Sequence, residues 1–313
     1  MPPHDNGRMQ APHPASPDAA VDGFVRLPDW GVIRARGDEA ASFLQGQLTQ
    51  DVASLDSNHA ALAGYCSAKG RLLASFVVWR PAADEVLLAC SADLLPATLK
   101  RLSMFVLRAR CKLSDASAEL AVHGLAGRGA PAAWHRTELA GGSAIGLPAV
   151  EGVARALWVT PPTATMTAWP AFDAAAWAAL EVASSVPRIV AATAEQFVPQ
   201  MINFDLVGGV NFQKGCYPGQ EVVARSQYRG TLKRRAALFE CGASAQAGQE
   251  VFHSNDPAQP AGMVVLAAPS GDKHLVLAEV KLAALEHGSL HLGSAQGATL
   301  RRQALPYALP IDA

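Results

Sequence analysis

Near residue 231 the texture of this sequence changes, and the change divides the chain into two kinds of fold. Upstream, strand-like and helix-like runs alternate. Val32–Arg36 reads as a strand, and Asp38 reads as the cap of a short helix carrying Ala41, Phe43 and Leu44. From Ala60 to Arg80 two extended runs flank Ser67-Ala68-Lys69-Gly70, a hairpin with glycine at the tight position. Glu85–Cys90 reads as a strand leading into a helix from about Ser91, with Leu95, Leu99, Leu102 and Phe105 on one face. Strands at Arg110–Leu113 and Glu119–Val122 follow, then a helix over Ala171–Val182 and a Thr193-x-x-Gln196 capping box before Phe197. Gly124–Pro170, rich in Gly, Pro and Ala, shows no clear period. Downstream, short apolar runs (Ala236–Phe239, Met263–Ala267, His274–Val280, Ala298–Arg301) alternate with turn signals at Gly242, Gly248, Asn255-Asp256-Pro257, Ser270-Gly271-Asp272 and Gly293. Short strands with frequent turns indicate a small sheet or barrel. The expected class is α+β followed by an all-β unit.

Composition excludes several function classes. With 50% hydrophobic residues, 17% charged and a net charge of −1, the chain is too apolar for disorder and too balanced for a bulk polycation. Cysteines at 66, 90, 111, 216 and 241 form no C-x-x-C pair, so neither a disulfide framework nor a Cys-based metal centre is expected. His287 and His291 stand four apart but lack the Glu that follows the first His of a zincin helix, and no metal is assigned. The first 22 residues hold Pro2, Pro3, Pro12, Pro14 and Pro17 and no apolar core, so a tail is expected and not a secretory signal. No apolar run is long enough to span a bilayer. A cytoplasmic monomer without membrane contact is the expectation.

Chemistry concentrates in Gly208-Gly209-Val210-Asn211-Phe212-Gln213-Lys214-Gly215-Cys216-Tyr217-Pro218-Gly219-Gln220-Glu221. Four glycines and a Pro-Gly step allow sharp turns and close backbone approach. Gly219 precedes a helix whose first N–H groups favour negative charge. Lys214, two residues from Cys216, would add a cation, and both effects raise a thiolate fraction. Cys216 and Lys214 are therefore the candidate reactive pair.

The stretch Lys214–Glu221 resembles the signature of the YgfZ family, folate-binding proteins related to the glycine cleavage T-protein. Phe197–Asn203, Tyr228-Arg229-Gly230, Phe43–Val52 and Tyr65–Arg71 are similar in the same order. The resemblance implies a folate-binding α+β region of two subdomains over 23–230, of the aminomethyltransferase type, and a C-terminal β-barrel over 231–313. It implies tetrahydrofolate or a derivative as cofactor and a role in assembly or repair of iron–sulfur enzymes, tRNA-modifying ones included. It assigns the ligand contacts to Gln200, Asn203, Gly215, Tyr217, Gly219, Gln220, Glu221, Arg225, Tyr228 and Arg229. Where relatives carry a pterin-contacting acid this chain has Ala183, and Glu181 is the candidate substitute, although two residues along a helix is another face. Two alternatives stay open: a folate-dependent one-carbon transferase, and an RNA- or protein-docking module that has lost folate. The second draws on two acid-free basic clusters, Arg225–Arg235 and Lys100–Lys112, which suit phosphate, polyglutamate or RNA.

Overall fold

The computed structural model describes residues 22–164, 169–228 and 232–310. The expected N-terminal tail and Arg229 lie outside them, apart from Asp22. In chain order the elements are β1 (Gly23–Arg26), β2 (Trp30–Arg36), α1 (Ala40–Gln45), β3 (Ala60–Cys66), β4 (Leu72–Ala82), β5 (Glu85–Ser91), α2 (Leu95–Ser103), β6 (Lys112–Asp115) and β7 (Ala121–Ala126). There follow β8 (Arg136–Leu139), β9 (Gly142–Val150), β10 (Val153–Thr160), α3 (Ala174–Ala183) and α4 (Gln220–Tyr228). The last six are β11 (Arg234–Cys241), β12 (Glu250–His253), β13 (Asp256–Ser270), β14 (Lys273–Lys281), β15 (Leu290–Leu292) and β16 (Thr299–Gln303).

One five-stranded sheet runs β3-β4-β5-β2-β6, a second runs β1-β7-β10-β9-β8, and β11-β14-β13-β12-β15-β16 close into a barrel. The first sheet is covered on both faces, which explains why its central strands are apolar almost throughout. Alternation sorts the side chains. Val32, Val77, Trp79 and Leu87 face Val122, Ile145, Leu157 and Val159 of the second sheet. Ile33, Phe76, Val78 and Leu88 point the other way, into a core with Phe43 and Leu44 of α1, Leu102 of α2, Phe197 and Phe204. That same core continues into the barrel through Ala236, Leu238, Leu266 and Leu277. The barrel has its own interior, built on Phe239, Val251, Val264 and Val276.

Several local expectations are corrected. The N-cap of α1 is Glu39, with no side-chain cap bond, so Asp38 does not cap it. α2 starts at Leu95 and stops at Ser103, which leaves Phe105 beyond the helix and 44% exposed instead of on its buried face. Thr193 does not cap a helix ahead. Its hydroxyl accepts from Val190 N at 3.1 Å and closes a 3-10 turn over Ala191–Thr193 behind it. β8, β9 and β10 occupy the stretch that showed no period. The expected turn at Asn255-Asp256-Pro257 is shorter, since β13 begins at Asp256.

Candidate functional site

The glycine-rich stretch is irregular between Gly208 and Gly219, and its shape is imposed by two distant segments. Thr49 N donates to Gly64 O at 2.9 Å, and its hydroxyl accepts from Gly64 N and donates to Gly209 O. Asn211 N donates to Thr49 O at 2.9 Å, and Gln50 Nε2 donates to Gly208 O at 2.7 Å. Lys214 Nζ donates to the carbonyls of Gln45, the last residue of α1, and of Leu48, the latter at 2.7 Å. At the other end Gly219, with φ +77°, rests on the β3–β4 hairpin turn. A Cβ there would lie 2.7 Å from Gly70 N and collide with Ser67 O. Gly70, at φ +70°, lies as closely under Val222 of α4. Three of the five segments that carry the family resemblance, Phe43–Val52, Tyr65–Arg71 and Lys214–Glu221, are therefore one structural unit.

Cys216 projects from this unit into solvent. It is the exposed member of the five cysteines. Burial pushes the thiols of Cys66 and Cys90 up to about 12 and raises that of Cys111. Cys241 is buried. Lys214 also has a role inside the fold. Its ammonium sits over the Tyr217 ring at 5.0 Å and is committed to two carbonyls, so it fastens the loop to α1. Burial pulls its pKa down to about 8, opposed by the charges of Asp51 and Cys216. Tyr217 is buried, which raises its phenol.

The other assigned residues separate into groups. Gln200 and Asn203 are fully buried. Gln200 Nε2 donates to Val223 O at 2.9 Å, while Asn203, at φ +60°, donates to Ala236 O at 2.9 Å and so ties this segment to the barrel. Both amide nitrogens thus make internal hydrogen bonds, while Gln200 Oε1 is buried without a partner. Gly215 is exposed and Gln220 is half-buried at the start of α4. Glu221 and Arg225 pair with each other at 2.8 Å on the solvent face of α4, where Tyr228 is also exposed. Arg229 is outside the described residues.

A cleft of about 1020 Å³ opens between α3 and the barrel. Ala176, Ala179, Leu180 and Ala183 form one wall, Leu238, Leu275 and Leu305 the other, and Glu151, Asp173, Glu240 and Gln303 supply polar groups. None of the residues assigned to the ligand from sequence lines it. Glu181 does not reach it: its carboxylate binds Arg188 Nε at 2.7 Å on the opposite side of α3. There Trp30, Arg155 and Trp177 enclose a second cavity of about 30 Å³, room for a water molecule and not for a pterin. The larger cleft suits a folate, having the volume of a small-molecule site, apolar walls for a bicyclic ring and carboxylates to accept from its amino and N–H edge. The helix expected over Ala171–Val182 starts at Ala174, and Asp173, expected inside it, is its N-cap and accepts from Ala176 N at 3.1 Å. Glu151, Glu240 and Gln303 carried no signal, because a turn and two barrel strands bring them together.

No protein-family model matches the chain. Full-length relatives do. The tRNA-modifying protein YgfZ of Klebsiella pneumoniae is 30% identical over 91% of this chain and 93% of its own length. That of Edwardsiella ictaluri is 32% identical over 76% and 77%. The chain belongs to the YgfZ family. The YgfZ protein of Colwellia psychrerythraea, 28% identical over 91% of the chain, is a further relative. The glycine cleavage system aminomethyltransferase T of Bartonella henselae superposes with a TM-score of 0.71 over 92% of this chain and 86% of its own, at 16% identity. The YgfZ-family chain thus has the aminomethyltransferase fold, an α+β region followed by a closed six-stranded barrel. Among the described residues no helix is long and apolar enough to cross a membrane.

Proposed function

We propose that this YgfZ-family chain is a folate-linked accessory protein of tRNA modification that serves iron–sulfur enzymes through the thiol of Cys216. The observation that carries the reading is the contrast among the cysteines. Four are buried or half-buried, and the fifth stands in solvent on a loop clamped by Lys214, Thr49, Gln50 and Gly219. A clamped loop presents its sulfur in one place without ordering cost on binding, and thiolate sulfur is a soft ligand suited to iron. The names of the relatives support tRNA modification as the setting. Folate binding is supported by the cleft beside Ala183 and the barrel, where Asp173 and Glu240 would orient the pterin edge and the alanine face of α3 would pack its ring. A tetrahydrofolate bound there would supply a one-carbon unit or reducing equivalents.

The test combines calorimetry with complementation. Wild-type protein should bind tetrahydrofolate one to one, and Ala183→Trp, which fills the cleft, should abolish that heat while keeping the fold. Cys216→Ser should bind folate normally and fail to restore tRNA modification in cells lacking the protein. Unchanged folate binding by Ala183→Trp would move the ligand out of the cleft. Full complementation by Cys216→Ser would remove the thiol from the function.

A further inference from the structure

Two basic clusters are visible in the sequence, and the structure treats them differently. In the cluster that runs from α4 into β11, Arg225 pairs with Glu221 at 2.8 Å, Arg234 with Glu279 at 2.7 Å and Arg235 with Asp205 at 2.6 Å. Three of its four described cations are thus matched within the chain. The cluster at the end of α2 is not. No acid occurs between Asp93 and Asp115, and among the described residues no carboxylate lies within 4 Å of Lys100, Arg101, Arg108 or Lys112. Arg110 alone leans toward Asp38 and Glu39, at 3.7 and 3.8 Å.

Apolar exposure coincides with this unmatched charge. Three of the five exposed large apolar side chains among the described residues sit here: Met104 at 63%, Phe105 at 44% and Leu107 at 87%. Leu107 has φ +41°, a conformation unfavourable for a residue with a branched side chain, and it is held outward at the tip of the turn. Burial inside the protein does not explain that strain. The base of the tip is joined to the signature loop through a relay of contacts. Arg101 lies beside the Tyr65 hydroxyl, Tyr65 bridges to Leu48, and Leu48 O accepts from Lys214 Nζ at 2.7 Å.

We infer that this tip is a docking surface for RNA with unpaired bases, its cations on the phosphates and Phe105, Met104 and Leu107 against base faces. The inference rests on the tRNA reading above and names the surface that reading requires. Charge complementarity selects a polyanion, and it disfavours a second copy, since two such tips would repel. A duplex would use the cations and leave the apolar tip exposed, whereas unstacked bases present both phosphate and apolar ring faces.

Binding of a fluorescent tRNA anticodon stem–loop, compared with a blunt duplex of the same stem, tests this by anisotropy between about 50 and 200 mM salt. Four cations on single-stranded phosphates should give a log–log salt slope of about −3. Lys100→Glu with Arg108→Glu should weaken binding at least tenfold and flatten that slope. Phe105→Ala should weaken loop binding by roughly five- to a hundredfold without changing the slope. The stem–loop should outcompete the duplex. Absence of stem–loop binding, indifference to these substitutions, or equal duplex binding overturns the proposal. So does binding to vesicles of equal parts phosphatidylglycerol and phosphatidylethanolamine in place of RNA, lost with Met104→Ser and Leu107→Ser. Tetrahydrofolate titration of the Lys100→Glu, Arg108→Glu protein keeps the two readings apart. RNA failure with folate heat intact overturns the surface alone, and folate failure with RNA binding intact overturns the folate site alone.

Discussion

Cys216 and Lys214 are two residues apart in sequence and face different tasks. The sulfur is in solvent, while the ammonium holds two carbonyls, of Gln45 at the end of α1 and of Leu48 after it. A small alkylating agent should therefore label Cys216 before any other cysteine, with Cys111 second and Cys66 and Cys90 protected until unfolding. Mass mapping over time checks the order, and Cys66 labelling as fast as Cys216 would contradict its burial. Cys66 looks competitive from sequence, with Lys69 and Arg71 near it, but its side chain points into the core. Lys214 makes a pH prediction. Its folded pKa of about 8 is below the usual 10.5, so between those values the unfolded chain holds more protons and this contribution to stability rises with pH. Melting of wild type relative to Lys214→Met should improve from pH 8 to 10.5. Cys66 and Cys90 act in the opposite sense, their stabilisation being lost from about pH 9 toward 12, but they are common to both proteins and cancel in the difference.

At the scale of elements, the hairpin turn before β4 and the start of α4 form a two-glycine contact. Gly219→Ala would force a Cβ against Ser67 O and Gly70 at a positive φ. It should cost about 2 kcal/mol or more, since strain of this kind adds to a steric clash. Thermal melting measures the loss, and Cys216 labelling should accelerate or lose its selectivity as the loop loosens. The hairpin was legible because Gly70 stands at the tight position of two apolar runs. The strands β8 to β10 were not. Gly142, Gly146 and Pro148 interrupt the alternation of β9, and Gly146 is required because a side chain there would strike the carbonyls of Pro131 and Ala132. A residue chosen for a long-range approach erases the local pattern that would announce the strand.

The molecule as a whole is joined across the folate-type region and the barrel by one continuous core and a buried ion pair. Arg235 donates to Asp205 at 2.6 and 3.0 Å with both side chains almost fully buried. Asp205→Ala should destabilise the protein by about 3–5 kcal/mol, because it leaves a buried guanidinium without its partner. Because Leu238, Leu266 and Leu277 share a core with Phe204 and Phe76, calorimetry should show the barrel and the first sheet melting in one transition. Two separate endotherms would show that the joint does not couple them.

The sequence by itself determined what depends on neighbours along the chain: strands and helices giving way to a barrel near residue 231, the β3–β4 hairpin, a helix after Gly219, and the signature that carries the family. It also determined that Ala183 and Glu181 would look in different directions, since two residues on a helix diverge. Tertiary structure alone decided the rest. Lys214 meets a carbonyl 169 residues away, Asp205 neutralises Arg235 across the joint, and the Lys100–Lys112 cluster is left with almost no carboxylate opposite it. Which cysteine faces water, which cations stay unmatched and which wall lines the cleft are set by contacts between segments far apart in sequence. Periodicity and spacing cannot carry that information, because burial and charge pairing depend on what the rest of the chain brings alongside.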